Sequence, residues 1–188
     1  MTKNEKDLAQ SLIGRLFFRL ALPSITAQIV NVLYNIVDRV YIGHIPKIGV
    51  DALTGVGVTM PIILAISAFV ALVSMGGAPR TSMMMGQGKR DEAEQILGTC
   101  TFTLIVLSVI ITMIMLIFGE SILVAFGASD DTIGYALEYI QIYSCGTIFV
   151  QLALGLNSFI TAQGFAFTSM LTVIIGALCN IILDPIFI

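Results

Sequence analysis

Residues 139–183 read YIQIYSCGTIFVQLALGLNSFITAQGFAFTSMLTVIIGALCNIIL and contain no Asp, Glu, Lys or Arg. About 20 apolar residues carry a helix across the hydrocarbon core of a bilayer. The stretch is more than twice that long, so it must hold two membrane helices and a turn. The turn falls at 157–167, around Ala162-Gln-Gly164. Three more uncharged windows cover 20–37, 52–79 and 95–119. The pattern predicts an all-α integral membrane protein with five transmembrane helices, at about 16–42, 53–78, 95–118, 132–156 and 168–188. Composition agrees: 57% of the residues are hydrophobic and 11% charged, where a soluble domain carries about 25% charged. An ordinary soluble enzyme is excluded.

The basic residues are unevenly placed. Lys3, Lys6, Arg15 and Arg19 precede the first span, and Arg80, Lys89 and Arg90 lie near the connection between the second and third. The opposite side has Arg39 and Lys47, and the loop around Glu120, Asp130 and Asp131 has no base. Short basic loops stay in the cytoplasm, so the N-terminus is expected there. Arg19 interrupts the first apolar run and no small-residue cleavage site follows a short apolar core, so a signal peptide is not expected.

Residues 1–19 form a basic lead-in whose Leu8, Leu12 and Leu16 suit a helix in the cytoplasmic interface. Ser67, Ala71 and Ser74 give the second span a small face for close packing, and Gly76, Gly77 and Pro79 should end it. Asp91 with Glu94 three positions on fits a capping box for the third span. That third span carries no charge and suits packing or lipid contact. Cys100, Cys145 and Cys179 lack metal or disulfide spacing and read as small buried hydrophobes. His44 is a single loop histidine.

Chemistry concentrates in the first and fifth spans. Gln28, Asn31, Asn35 and Asp38 recur at i, i+3, i+7 and i+10, one face of a helix. Such a face is poor against lipid and should line a bundle interior or cavity, with Tyr34, Tyr139 and Tyr143 as further cavity-lining candidates. Asn180 and Asp184 share a face of the fifth span. Pro185 has no N–H and should break that helix near Asp184, and Pro23 should kink the first. Ionisable residues inside a membrane are costly and mark ion or substrate paths. By depth, Asp38, Asn180 and Asp184 can form one site. Its oxygens suit a hard cation such as Na⁺, or two carboxylates sharing a proton. The residues also fit plainer roles: Asp38 beside Arg39 as an interfacial side chain, Asp184 as a helix end, the tyrosines as an interface belt. No nucleotide loop, zinc spacing, catalytic triad or nucleic-acid surface is present, so no enzyme, cofactor or nucleic-acid partner is expected.

These residues resemble the multidrug and toxic compound extrusion (MATE) family of secondary transporters. The likeness is carried by Pro23, by 28–43 (QIVNVLYNIVDRVYIG), by 76–98 (GGAPRTSMMMGQGKRDEAEQILG), by Ala162-Gln-Gly164 and by 180–185 (NIILDP). It departs at Thr161, where the family commonly has Arg. The resemblance implies twelve helices in two six-helix lobes, so 16–188 would be most of an N-terminal lobe lacking its sixth helix and the C-terminal lobe. It also implies a protein of the bacterial cytoplasmic membrane that exports amphipathic, often cationic drugs in exchange for Na⁺ or H⁺. The coupling residues would be Asp38, Asn180 and Asp184, with a further hydroxyl from the sixth helix. The two lobes would alternate in access, and the 188 residues by themselves would not transport. The rival readings are a flippase for lipid-linked precursors in the same superfamily, which needs basic residues in its cavity, and a non-transporting membrane scaffold.

Overall fold

The computed structural model describes the backbone of residues 13–187 and the side chains of residues 14 and 17–183. The lead-in residues 1–12 and the side chains of Arg15, Leu16, Asp184 and Pro185 lie outside that description. Among the described residues five helices follow one another: α1 (Ile13–Gly43), α2 (Gly49–Gly86), α3 (Arg90–Ala125), α4 (Ile133–Ala162) and α5 (Ala166–Phe187). All five are long and apolar enough to cross a bilayer.

The helices are longer than their uncharged windows. At about 1.5 Å per residue, the 38 residues of α2 span roughly 57 Å, well beyond a hydrocarbon core of about 30 Å. The expected ends are corrected accordingly. The second helix does not stop at Gly76, Gly77 and Pro79, because Pro61 and Pro79 both lie inside α2. Pro23 likewise lies inside a continuous α1, and α5 continues past residue 185 to Phe187. Neither Pro23 nor Pro185 ends its helix. Proline is tolerated in membrane helices because neighbouring groups re-satisfy the freed backbone. The capping box is also corrected. Arg90 opens α3, Lys89 caps it, and no side chain bonds the cap. Asp91 and Glu92 instead sit in the first turn, where negative charge suits the helix dipole, and Lys89 Nζ donates to Glu92 Oε1 at 3.0 Å.

Gln-Gly closes two helices in the same way. Gly88 and Gly164 take positive φ (78° and 87°). Beyond Gly88, the Lys89 N–H donates to Met84 O at 2.9 Å; beyond Gly164, the Phe165 N–H donates to Ile160 O at 3.2 Å. Each is a Schellman turn that satisfies the terminal carbonyls. These two dipeptides therefore recur as stop signals.

Helices α2, α3 and α4 pack extensively on one another, while α1 packs mainly on α5 and α5 joins the rest through α4. Ile62, Ile66, Ile111, Leu123, Ala136 and Ile140 form the shared core of the three-helix group. Lipid is as apolar as leucine, so close approach of small residues drives such packing. A Cβ on Gly77 would collide with Cys100 Sγ and lie 2.8 Å from Phe159 Cζ, and one on Gly155 would collide with Leu104. Ser74, from the predicted small face, is buried there too. The cysteines depart from expectation. Cys100 is half-buried, but Cys145 and Cys179 are exposed, since a membrane helix keeps its outer face apolar as well as its inner one.

Candidate functional site

Because α1 leans on α5 while α4 belongs to the three-helix group, a cleft of about 560 Å³ opens between them. Asn31 and Tyr34 reach it from α1, Asn157 from α4, and Thr172, Gly176 and Asn180 from α5. Among the described residues its lining contains no charged side chain. Amide and hydroxyl groups are set among Leu, Ile, Val and Ala, the composition of a site for an amphipathic molecule.

The polar stripe of α1 divides on folding. Asn35 Nδ2 donates to Asn31 Oδ1 at 2.9 Å and to Asn31 O at 2.8 Å, which ties the two amides together. Asp38 is half-buried one turn further along the helix. Gln28, expected to line the cavity, is exposed and outside the cleft.

Tyr139 and Tyr143 extend the site on α4. Both are half-buried, and their rings stack with centroids 6.4 Å apart and an interplanar angle of 17°. The Tyr139 hydroxyl lies within electrostatic reach of Asp38, Tyr34 and Arg39, and that of Tyr143 within reach of Tyr34. Tyr34 thus belongs both to the cleft and to the tyrosine–aspartate cluster. Neither Asp38 nor Asn180 is without an interaction partner. Asp184, one turn beyond Asn180 on α5, has its side chain outside the described residues.

Sequence reasoning placed Asn157 in a turn and passed over Thr172. Instead α4 runs on to Ala162, and Thr172 Oγ1 lies 3.5 Å from Asn157 Oδ1 across the cleft. A usable signal existed: Thr172, Gly176 and Asn180 fall at i, i+4 and i+8, one face of α5. Arg39, the basic residue far along a span, bonds Met60 Sδ on α2 at 2.9 Å and does not enter the cleft.

Comparison with known proteins places this arrangement. Residues 23–186 match the MatE family model. The chain is 28% identical over 179 residues to the multidrug export protein MepA of Staphylococcus haemolyticus, covering 95% of this chain and 39% of MepA. It is 22% identical over 186 residues to an FAD transporter of Shewanella oneidensis, covering 99% of this chain and 40% of that protein. Among solved structures it superposes on a MATE transporter crystallised with MaD3S with a TM-score of 0.90. That match has 26% identity and covers 100% of this chain and 41% of the other. The chain therefore spans about two fifths of the length of these relatives.

Proposed function

Since the chain belongs to the MatE family, as a multi-pass membrane protein whose five helices match a MATE transporter lobe, we propose that the whole protein exports amphipathic, often cationic compounds in exchange for Na⁺ or H⁺. The observation that carries this reading is the double membership of Tyr34. It lines the cleft with Asn31 and Asn180, and it stands one turn before Asp38 on the same face of α1. A compound in the cleft and an ion at the carboxylate would thus meet through one helix, α1.

In this mechanism Asp38, Asn180 and Asp184 receive the coupling ion. Among the described residues no three His, Cys, Asp or Glu gather, so a Na⁺ here would rest on amide and hydroxyl oxygens beside carboxylate, a hard donor set. An ion shifts a two-state equilibrium only by its differential affinity for the two states. Because α1 is joined mainly to α5, that pair can move against α2, α3 and α4 and supply the difference. Neutralising Asp38 would close the cleft and release its contents outward. The basic distribution supports a cytoplasmic N-terminus, and the remaining three fifths of the transporter would supply the sixth helix and the second lobe. The flippase alternative is disfavoured because, among the described residues, no Lys or Arg lines the cleft.

Dye efflux from proteoliposomes carrying the intact protein, driven by a Na⁺ step or a pH step, tests the reading. Efflux under one gradient that disappears in Asp38→Asn is expected. Efflux that is gradient-independent, or unchanged in Asp38→Asn, overturns the coupling scheme.

A further inference from the structure

A second groove, also about 560 Å³, shares no lining residue with the cleft and lies between the C-terminal part of α2 and the N-terminal part of α3. Its two ends differ in chemistry. Val73 and Gly76 on α2 and Ile96 on α3 line it within the uncharged windows 52–79 and 95–119. Arg80 and Glu92 line it just beyond those windows. The groove therefore crosses the boundary between membrane interior and headgroup layer. A Cβ on Gly76 would meet nothing within 4 Å, so the trough is open at its apolar end.

The charges at the mouth are not balanced. Glu92 is held by Lys89 at 3.0 Å, whereas Arg80 makes no ion pair among the described residues. A guanidinium presents a planar fork of donors that matches a phosphate, and basic pockets between membrane helices recruit anionic headgroups. With Glu92 engaged by a lysine, the surplus charge at the mouth is positive. We propose that this groove binds an anionic glycerophospholipid, its phosphate on Arg80 and an acyl chain along Val73, Gly76 and Ile96. The site is separate from Asp38 and the α1–α4–α5 cleft, and it stands whether or not that cleft exports drugs.

Native mass spectrometry of the intact, delipidated protein tests this, with phosphatidylglycerol and phosphatidylcholine of identical chains titrated side by side. One basic contact near the headgroup layer supports a preference of about fivefold for phosphatidylglycerol. Arg80→Gln should bring that preference close to one, and Arg80→Lys should keep most of it. Gly76→Leu, which fills the trough, should weaken binding of both lipids. Equal binding of the two lipids by the unaltered protein, or a preference that survives Arg80→Gln, overturns the assignment. So does displacement of phosphatidylglycerol by inorganic phosphate, or by a cationic amphiphile at equal concentration. If Arg80→Gln fails to melt cooperatively, the Gly76→Leu result decides, and unchanged lipid affinity there overturns the proposal.

Discussion

Replacing Gly77 with alanine adds one methyl group to a contact that has no room for it. The new Cβ would collide with Cys100 Sγ and stand 2.8 Å from Phe159 Cζ. Phe159 is only 2% exposed, so its ring cannot swing aside into solvent or lipid. Overpacking of this kind costs roughly 1–3 kcal/mol. Alanine also improves on glycine inside a helix by about 0.8–1 kcal/mol, which would blur the measurement on its own. Gly57 supplies the control. It lies in the same helix, and a Cβ there meets nothing within 4 Å. Gly57→Ala gains the same propensity without the clash, so the difference between the two variants is the overpacking alone. The shift per kcal/mol shrinks with chain length, from about 2–4 °C at 150–250 residues to roughly 1–2 °C for an intact protein about two and a half times this chain, so Gly77→Ala should melt about 1–6 °C below Gly57→Ala. Circular dichroism of the intact protein in detergent reads this directly. Coinciding melting temperatures would refute the packing of α2 against α3 and α4.

Tyr139→Phe keeps the ring stack with Tyr143 and removes the hydroxyl near Asp38. Stability should change by less than about 0.5 kcal/mol, while coupling-ion affinity measured by isothermal titration falls about two- to fivefold, as for loss of an electrostatic contact worth under about 1 kcal/mol. Gln151 is 0% exposed, and among the described residues neither its carbonyl nor its amide nitrogen has a hydrogen-bond partner. Gln151→Leu should therefore be neutral or stabilise by up to about 1–3 kcal/mol in thermal melts; a lower melting temperature would show that the amide has a partner. Gly164→Ala forces a side chain into a φ of 87° and should destabilise by roughly 1–2 kcal/mol. Gly134→Ala, at an open helical position, should not.

The number and order of the helices were legible because charge is costly in a bilayer core: an uncharged run as long as 139–183 reads as two spans and a turn. Helix ends were less legible, since lipid permits prolines such as Pro79 inside a span that would stop a helix in water. The offsets of Asn31, Asn35 and Asp38 announced a polar face, but not that Asn35 would turn back to Asn31 and leave the cleft to Asn31 and Tyr34. That depends on which rotamer finds a partner. Asn157 and Thr172 meet only because the turn at Gly164 folds α5 back along α4, a contact that no periodicity within one helix encodes. The exposure of Cys145 and Cys179 was hidden because apolar residues face both lipid and core.

The central claim is that the cleft and the carboxylate are energetically linked, and linkage is reciprocal. The direct measurement is the dissociation constant of a fluorescent organic cation for the intact protein in detergent. It is taken with and without Na⁺ and at low and high pH, for the unaltered protein and for Asp38→Asn. The account predicts that Na⁺ or protons weaken binding about five- to 150-fold, the usual range of such couplings, and that Asp38→Asn abolishes the effect. Dissociation constants that ignore both ions, or an ion effect that persists in Asp38→Asn, would contradict it.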